Sequence, residues 1–296
     1  MESMDVGVAD VGAHVAMDRQ ARTRSQLGMN RLSFLAARGN LISVNIAGEG
    51  LPLVLLHGFP LDHRLWLQQL DRLSAYYRVI APDLRGFGQS TLTDGSYSLT
   101  DLAEDVEQVR QHLTDNQPIA LCGLSMGGYV AFEYWRCHSK SLTALILTNT
   151  KPEADSEQAR LARHVMIERA RTLGSWQAVS EMLPKLLSGN HLAERGAAYQ
   201  AAEQMLRACT ADAVISAQRA MATRSDFISS LPALHTPTLV IAGEEDAIAP
   251  PTATRKWAAV IPNSQCHVLA DAAHLTPLEQ PQQFNQLVHE FLESLA

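Results

Sequence analysis

The feature that most constrains this chain is a succession of short, unbroken apolar runs: Leu53-Val54-Leu55-Leu56, Val79-Ile80-Ala81, Ile119-Ala120-Leu121-Cys122, Ala144-Leu145-Ile146-Leu147, Leu239-Val240-Ile241-Ala242 and Val268-Leu269. A half-wet strand alternates polar and apolar residues, whereas a strand covered on both faces reads as a continuous run. Helical spacing occupies the intervals, with Leu99, Leu102, Val106, Val109 and Leu113 on one face and Phe284, Leu287, Val288, Phe291 and Leu292 stepping by three and four. Strand then helix, repeated, implies right-handed crossovers and a mostly parallel sheet flanked by helices, an α/β class. Upstream the pattern differs: Leu41, Ser43 and Asn45 alternate with Ile42, Val44 and Ile46. From Leu32 to Ile46 this predicts an antiparallel hairpin with one wet face, turning at Gly39-Asn40.

About 90 residues separate Leu147 from Leu239, too many for one crossover, and they are rich in helix formers such as Glu157, Arg160, Ala170 and Leu186. The simplest account is a helical lid, residues 152–230, inserted into a core made of 29–151 and 231–296. Residues 1–28 mix Gly, Ala, Asp and Arg without a period and lack the apolar run of a secretory signal, so a disordered leader is expected there. Lys and Arg number 24 against 31 Asp and Glu, a net charge of −7 that repels nucleic acid. No apolar stretch approaches the roughly 20 residues of a bilayer-spanning helix, so no membrane partner is expected. Cys122, Cys137, Cys209 and Cys266 are scattered without a Cys-x-x-Cys pair, which suits reduced thiols in the cytoplasm.

The run Ile119–Cys122 leads into Gly123-Leu124-Ser125-Met126-Gly127-Gly128 and then a helical stretch, Tyr129–Trp135. Gly-x-Ser-x-Gly at a strand-to-helix corner is a nucleophile elbow, in which glycines two places either side of the serine avoid clashes with the tight backbone. A structural glycine-rich turn has the same five letters; the strand before and helix after favour Ser125 as nucleophile. A serine hydroxyl needs a base, and the base needs an orienting acid. Downstream, Leu239–Ala242 ends in Gly243-Glu244-Glu245-Asp246 and Val268-Leu269 ends in Asp271-Ala272-Ala273-His274, so both partners follow in the order such elbows require. Of the eleven histidines, His57 belongs to a turn, His267 to a strand, and His112 and His289 to helices. His274 alone sits at a strand's carboxyl end beyond a candidate acid. Asp246 is the expected acid, with Glu153 or Asp155 as distant substitutes, because the other position where such enzymes place it holds Asn149.

A developing oxyanion needs fixed donors. One is the Met126 N–H; the loop His57-Gly58-Phe59-Pro60 supplies the other, from Phe59. The stretch Asp83 to Ser90 lacks Gly-Lys-Ser/Thr and is read as a structural loop with Asp83 paired to Arg85.

From about Leu32 onward the chain resembles the α/β-hydrolase superfamily. His57-Gly58-Phe59-Pro60, Pro82-Asp83-Leu84-Arg85-Gly86-Phe87-Gly88, Gly123-Leu124-Ser125-Met126-Gly127-Gly128-Tyr129 and Gly243-Glu244-Glu245-Asp246 are similar to the branch holding 3-oxoadipate enol-lactonases, small carboxylesterases and cofactor-free haloperoxidase-like perhydrolases. The resemblance implies Ser125, Asp246 and His274 as a triad. Dehalogenases and epoxide hydrolases of the superfamily use an elbow aspartate, which Ser125 argues against, and the His-x-His-x-Asp-His of metal-dependent lactonases is missing near His57–His63. No cofactor or metal is implied. The expectation is a serine hydrolase acting on a small ester or lactone. Perhydrolysis and carbon–carbon bond hydrolysis with the same triad are alternatives, as is a ligand receptor with incidental turnover. In the lid, Met166, Trp176, Met182, Leu183, Met205 and Met221 divide between lid core and an apolar cleft above Ser125, with Trp176 a candidate substrate contact. Arg224 either ties lid to body through an ion pair or receives a substrate carboxylate.

Overall fold

A computed structural model describes residues 31–93 and 95–295; the expected leader at 1–28 lies outside the described residues. Each apolar run is a strand: β1 (Arg31–Ala37), β2 (Asn40–Ala47), β3 (Pro52–Leu56), β4 (Arg78–Pro82), β5 (Ile119–Leu124), β6 (Leu142–Thr148), β7 (Thr238–Gly243) and β8 (Ser264–Leu269). They form one eight-stranded sheet in the order β1-β2-β4-β3-β5-β6-β7-β8. Only the β1–β2 and β2–β4 pairings are antiparallel; the rest are parallel. β3, β5 and β7 are buried at every residue, as continuous apolar runs require. β8 departs from that expectation: it is the sheet's last strand and most of it is at least partly exposed, because one side has no neighbour.

The hairpin forms one residue earlier than expected. Ala37 pairs with Asn40, so the turn is Arg38-Gly39, both at positive φ (48° and 82°), the combination whose twist suits a two-residue loop. Its wet face is also confined to β1, since β2 lies between β1 and β4 and is mostly covered on both sides.

The helix Leu99–Leu113 opens with reciprocal capping: the Ser98 hydroxyl accepts the Asp101 N–H at 3.1 Å while Asp101 accepts the Ser98 N–H at 2.9 Å. It packs along the helix Met126–His138, while Leu67–Leu73 packs against Pro281–Glu293, where the buried Trp66 ring lies 5.9 Å from Phe284. Between β6 and β7 the chain builds mainly helices, among them Glu157–Leu173, Ala197–Ala208 and Ala211–Ala222. Their inward faces join the main core through Ala202, Met205, Val214 and Met221. No helix among the described residues is long and apolar enough to cross a membrane, and all four cysteines are free.

The loop after β4 is built differently from the expected Asp83–Arg85 pair. Asp83 turns toward the preceding loop, where its Oδ1 accepts from the His63 N–H at 2.8 Å, and its Oδ2 accepts from Gln89 N–H at 3.0 Å. Arg85 instead reaches helix Leu99–Leu113 and forms a two-bond pair with Asp105 at 2.9 and 2.7 Å, both side chains almost fully buried. Burial holds the Asp105 carboxyl above its ordinary value even with this arginine beside it, so the pair is costly to desolvate. Arg85→Met should therefore lose about 3–5 kcal/mol in urea denaturation, and adding Asp105→Leu should recover most of that loss, because the uncompensated charge is then gone.

Candidate active site

Four loops meet at the carboxyl edge of the parallel strands, where open α/β sheets place their ligands. They follow β3 (His57–Pro60), β6 (Asn149 onward), β7 (Glu244–Ile248) and β8 (Asp271–His274), around the junction at which β5 turns into the helix Met126–His138. Ser125 occupies that junction with φ 54° and ψ −112°, a conformation a side-chain-bearing residue adopts only when its surroundings impose it. The glycines are needed by contact: a Cβ on Gly123 would strike the Gly127 carbonyl oxygen, and one on Gly127 would strike the Leu56 carbonyl oxygen of β3. Thr150 braces the corner by donating its hydroxyl to the Ser125 carbonyl oxygen at 2.8 Å.

His274 and Asp246, 28 residues apart, are joined by a 2.8 Å bond from Nδ1 to Oδ2, both side chains buried. Asp246 Oδ1 also accepts the Ile248 and Ala249 N–H groups at 2.8 and 3.0 Å. Burial alone pushes the Asp246 carboxyl up; the neighbouring imidazole and these donors outweigh it and hold it below its ordinary value, so it is an anion at neutral pH. Ser125 and His274 line the same cavity of about 290 Å³, walled also by Phe59, Met166, Met182 and Ile248. The first N–H of the helix, on Met126, and that of Phe59 donate to no main-chain carbonyl among the described residues.

His57 organises the Phe59 loop. Its ring is fully buried, Nε2 accepts the Leu84 N–H at 2.9 Å and Nδ1 lies 3.0 Å from the Gly58 carbonyl oxygen, an arrangement that needs a neutral ring with its proton on Nδ1. Burial lowers its pKa accordingly. Asp62, His63 and Asp83 also crowd together, but Asp62 is held by Arg64 at 2.8 and 2.6 Å and Asp83 by His63 and Gln89, so their donor atoms are already taken.

Two supports were not legible beforehand. Asn149, at positive φ, donates to Asp246 Oδ2 and to the Ala273 carbonyl, each at 2.9 Å, and accepts from Thr148 and Thr276 hydroxyls. The amide at the alternative acid position thus steadies the Asp246 carboxylate. Glu279, buried on a short helix after His274, accepts the N–H groups of Ala273 and Leu275 at 2.9 and 3.2 Å and that of Ser188, in the segment between β6 and β7, at 2.6 Å. It clamps the residues on both sides of His274.

Two expected substrate contacts lie elsewhere. Trp176 does not line the cavity; the Arg207 guanidinium lies over its ring, 3.8 Å from the centroid. Arg224 is buried and does not line the cavity: it pairs with Asp155, donates to the Glu153 carbonyl at 2.8 Å and lies 4.4 Å from the Tyr129 ring centroid, while its Nη2 has no hydrogen-bond partner. Asp155 also pairs with Arg163, which removes it as a substitute acid. Met166, Met182 and Met221 do line the cavity, whereas Met205 belongs to the core. Lys151, Arg163, Lys185, Gln218 and Tyr129 line it too. On helix Glu157–Leu173, Ala159, Ala162, Arg163 and Met166 share one face at helical spacing, a signal that marks a face without saying what it meets.

A family model of the alpha/beta hydrolase fold matches residues 52–281. The chain belongs to the α/β-hydrolase family. It is similar to 3-oxoadipate enol-lactonase 1 of Acinetobacter baylyi, 29% identical over 87% of this chain and 95% of that one. It is 31% identical to the pimeloyl-[acyl-carrier protein] methyl ester esterase of Yersinia enterocolitica, over 84% and 96%. Among solved structures, a thermophilic esterase from Thermogutta terrifontis with malate bound superposes at a TM-score of 0.86 with 38% identity, covering 90% of this α/β-hydrolase and 99% of that chain.

A neutral His57 fixes a pH signature. Its folded pKa lies below the ordinary 6.5, so below that pH the unfolded chain takes up a proton the native state refuses, and stability falls as pH drops. Denaturation at pH 7.5 and 5.5 should show a loss in the parent that His57→Gln reduces by about 1 kcal/mol.

Proposed function

We propose that this α/β-hydrolase cleaves a small carboxylic ester or lactone through an acyl-enzyme on Ser125, with His274 as base and Asp246 as orienting acid. The observation that carries the reading is the buried 2.8 Å Asp246–His274 bond beside a serine held at φ 54° on the same cavity. With Nδ1–H donated to Asp246, the His274 Nε2 is left to take a proton. Ser125 Oγ attacks the carbonyl carbon and its proton passes to Nε2 while the carbonyl electrons move onto oxygen. That oxygen is received by the Met126 and Phe59 N–H groups, donors that need no reorganisation. Collapse expels the alkoxide, protonated by the imidazolium; in a lactone it stays tethered to the acyl group. Water activated by the same imidazole then repeats the sequence and frees the acid and Ser125.

The family relatives that bear ester and lactone names support this substrate range, and the helices between β6 and β7 are read as a lid over the cavity. The methionine walls supply an adaptable apolar surface for a short acyl or alkyl chain. No residue of the cavity singles out peroxide or a diketone.

Ser125→Ala should lower kcat/KM for p-nitrophenyl acetate by at least about 10³-fold without changing thermal stability by more than a few degrees, and should abolish fluorophosphonate labelling. Undiminished labelling or turnover in that variant would remove Ser125 from the mechanism.

A further inference from the structure

Among the charged groups of the cavity that the proposed reaction does not use, Lys151 lies beside the elbow. Lys151 follows Thr150, whose hydroxyl is bonded to the Ser125 carbonyl, so the lysine's main chain is anchored beside the elbow. It lines the cavity that holds Ser125 and His274. It also lines a second one of about 310 Å³, which shares Lys151, Asp155, Ala159 and Ile248 with the first and extends to Pro250 and Trp257. Lys151 stands where the two meet.

Its ammonium is half-buried and forms no ion pair among the described residues. The acid best placed to answer it, Asp155, already carries both Arg163 and Arg224. Glu153 acts on it at longer range, and its Oε2 is itself buried without a hydrogen-bond partner. Burial, with Arg224 adding repulsion, lowers the lysine's pKa, which marks an ammonium short of both water and counter-charge. The surplus is local. In a chain of net charge −7, the cavity presents Lys151, Arg163 and the more exposed Lys185 against the single carboxylate of Asp155. Phe59, Met166, Met182, Met221 and Ile248 on the other walls cannot solvate an anion, and the polar Tyr129 and Gln218 beside them carry no charge to balance one.

We propose that Lys151 receives a free carboxylate on the substrate, so that the compound cleaved is a short ester or lactone bearing an acid group, its carbonyl at Ser125 and its carbon chain along the methionine wall. The assignment rests on the ester or lactone reading of the site and adds to it a charge requirement and the residue that reads it. Arg163 is held by Asp155 and Arg224, also on Asp155, does not line the cavity; Lys185 at the rim attracts the anion without fixing it.

A matched pair of substrates tests this: monomethyl adipate, and the same methyl ester with its acid replaced by a primary amide, with methanol release followed by NMR. The wild-type protein should favour the acid in kcat/KM by about tenfold to a hundredfold, the range of one charge-assisted hydrogen bond. In Lys151→Met, which keeps the stem's length, the acid-to-amide ratio should fall at least about tenfold, and Lys151→Arg should restore most of it. A ratio near one in the wild type, or a ratio unmoved by Lys151→Met, overturns the proposal while leaving ester hydrolysis by Ser125 intact. Should the wild type cleave neither ester, the hydrolytic reading fails, and calorimetric titration with glutarate still reads the subsite. Binding that weakens at least about tenfold in Lys151→Met supports it, and binding indifferent to that change overturns it.

Discussion

The site depends on one backbone compromise: a serine held in left-handed territory where β5 becomes a helix. That geometry persists because β3 and β6 crowd the corner on either side, with the Leu56 carbonyl pressed close to Gly127 and Thr150 bonded to the Ser125 carbonyl. The strain is local, and the packing that sustains it comes from the most buried strands of the sheet. With the serine fixed, its helix begins at Met126 and offers an uncommitted N–H where charge would develop.

Asp246 and His274 are held by a second device, a connected set of buried polar bonds. Asp246 takes donors from His274, Asn149, Ile248 and Ala249, and Asn149 in turn takes two threonine hydroxyls, so that almost no polar atom near the pair is left unanswered. A buried carboxylate with this many donors stays ionised despite its burial, which keeps the imidazole in one tautomer.

Much of this was legible in the residues alone. Doubly buried strands leave continuous apolar runs, so the parallel part of the sheet could be read directly, and with it the loops that carry Ser125, Asp246 and His274. What failed to show were relations between side chains distant in sequence. Proximity in sequence suggests Asp83 for Arg85, but its partner is Asp105 on the helix Leu99–Leu113, and Asp83 answers to His63 and Gln89. Arg224 and Trp176 had the right chemistry for a substrate, and each was claimed by a neighbour, Asp155 and Arg207. Lys151 carried no motif; only the cavity shows that its charge is unanswered. The hairpin turn moved by one residue because Arg38 accepts a positive φ that pattern alone does not assign to it.

The link between the β6–β7 segment and the His274 loop reaches beyond the shape of the cavity. The His274 N–H donates to the Leu186 carbonyl at 3.1 Å, and Glu279 ties Ser188 to the amides flanking that histidine. Residues 186–188 are thus part of the scaffold that aims the imidazole, although they belong in sequence to the segment between β6 and β7. Grafting this segment onto a relative would transplant part of the support of the His274 loop along with the pocket wall, so the shape of the cavity and the placement of that imidazole are inherited together.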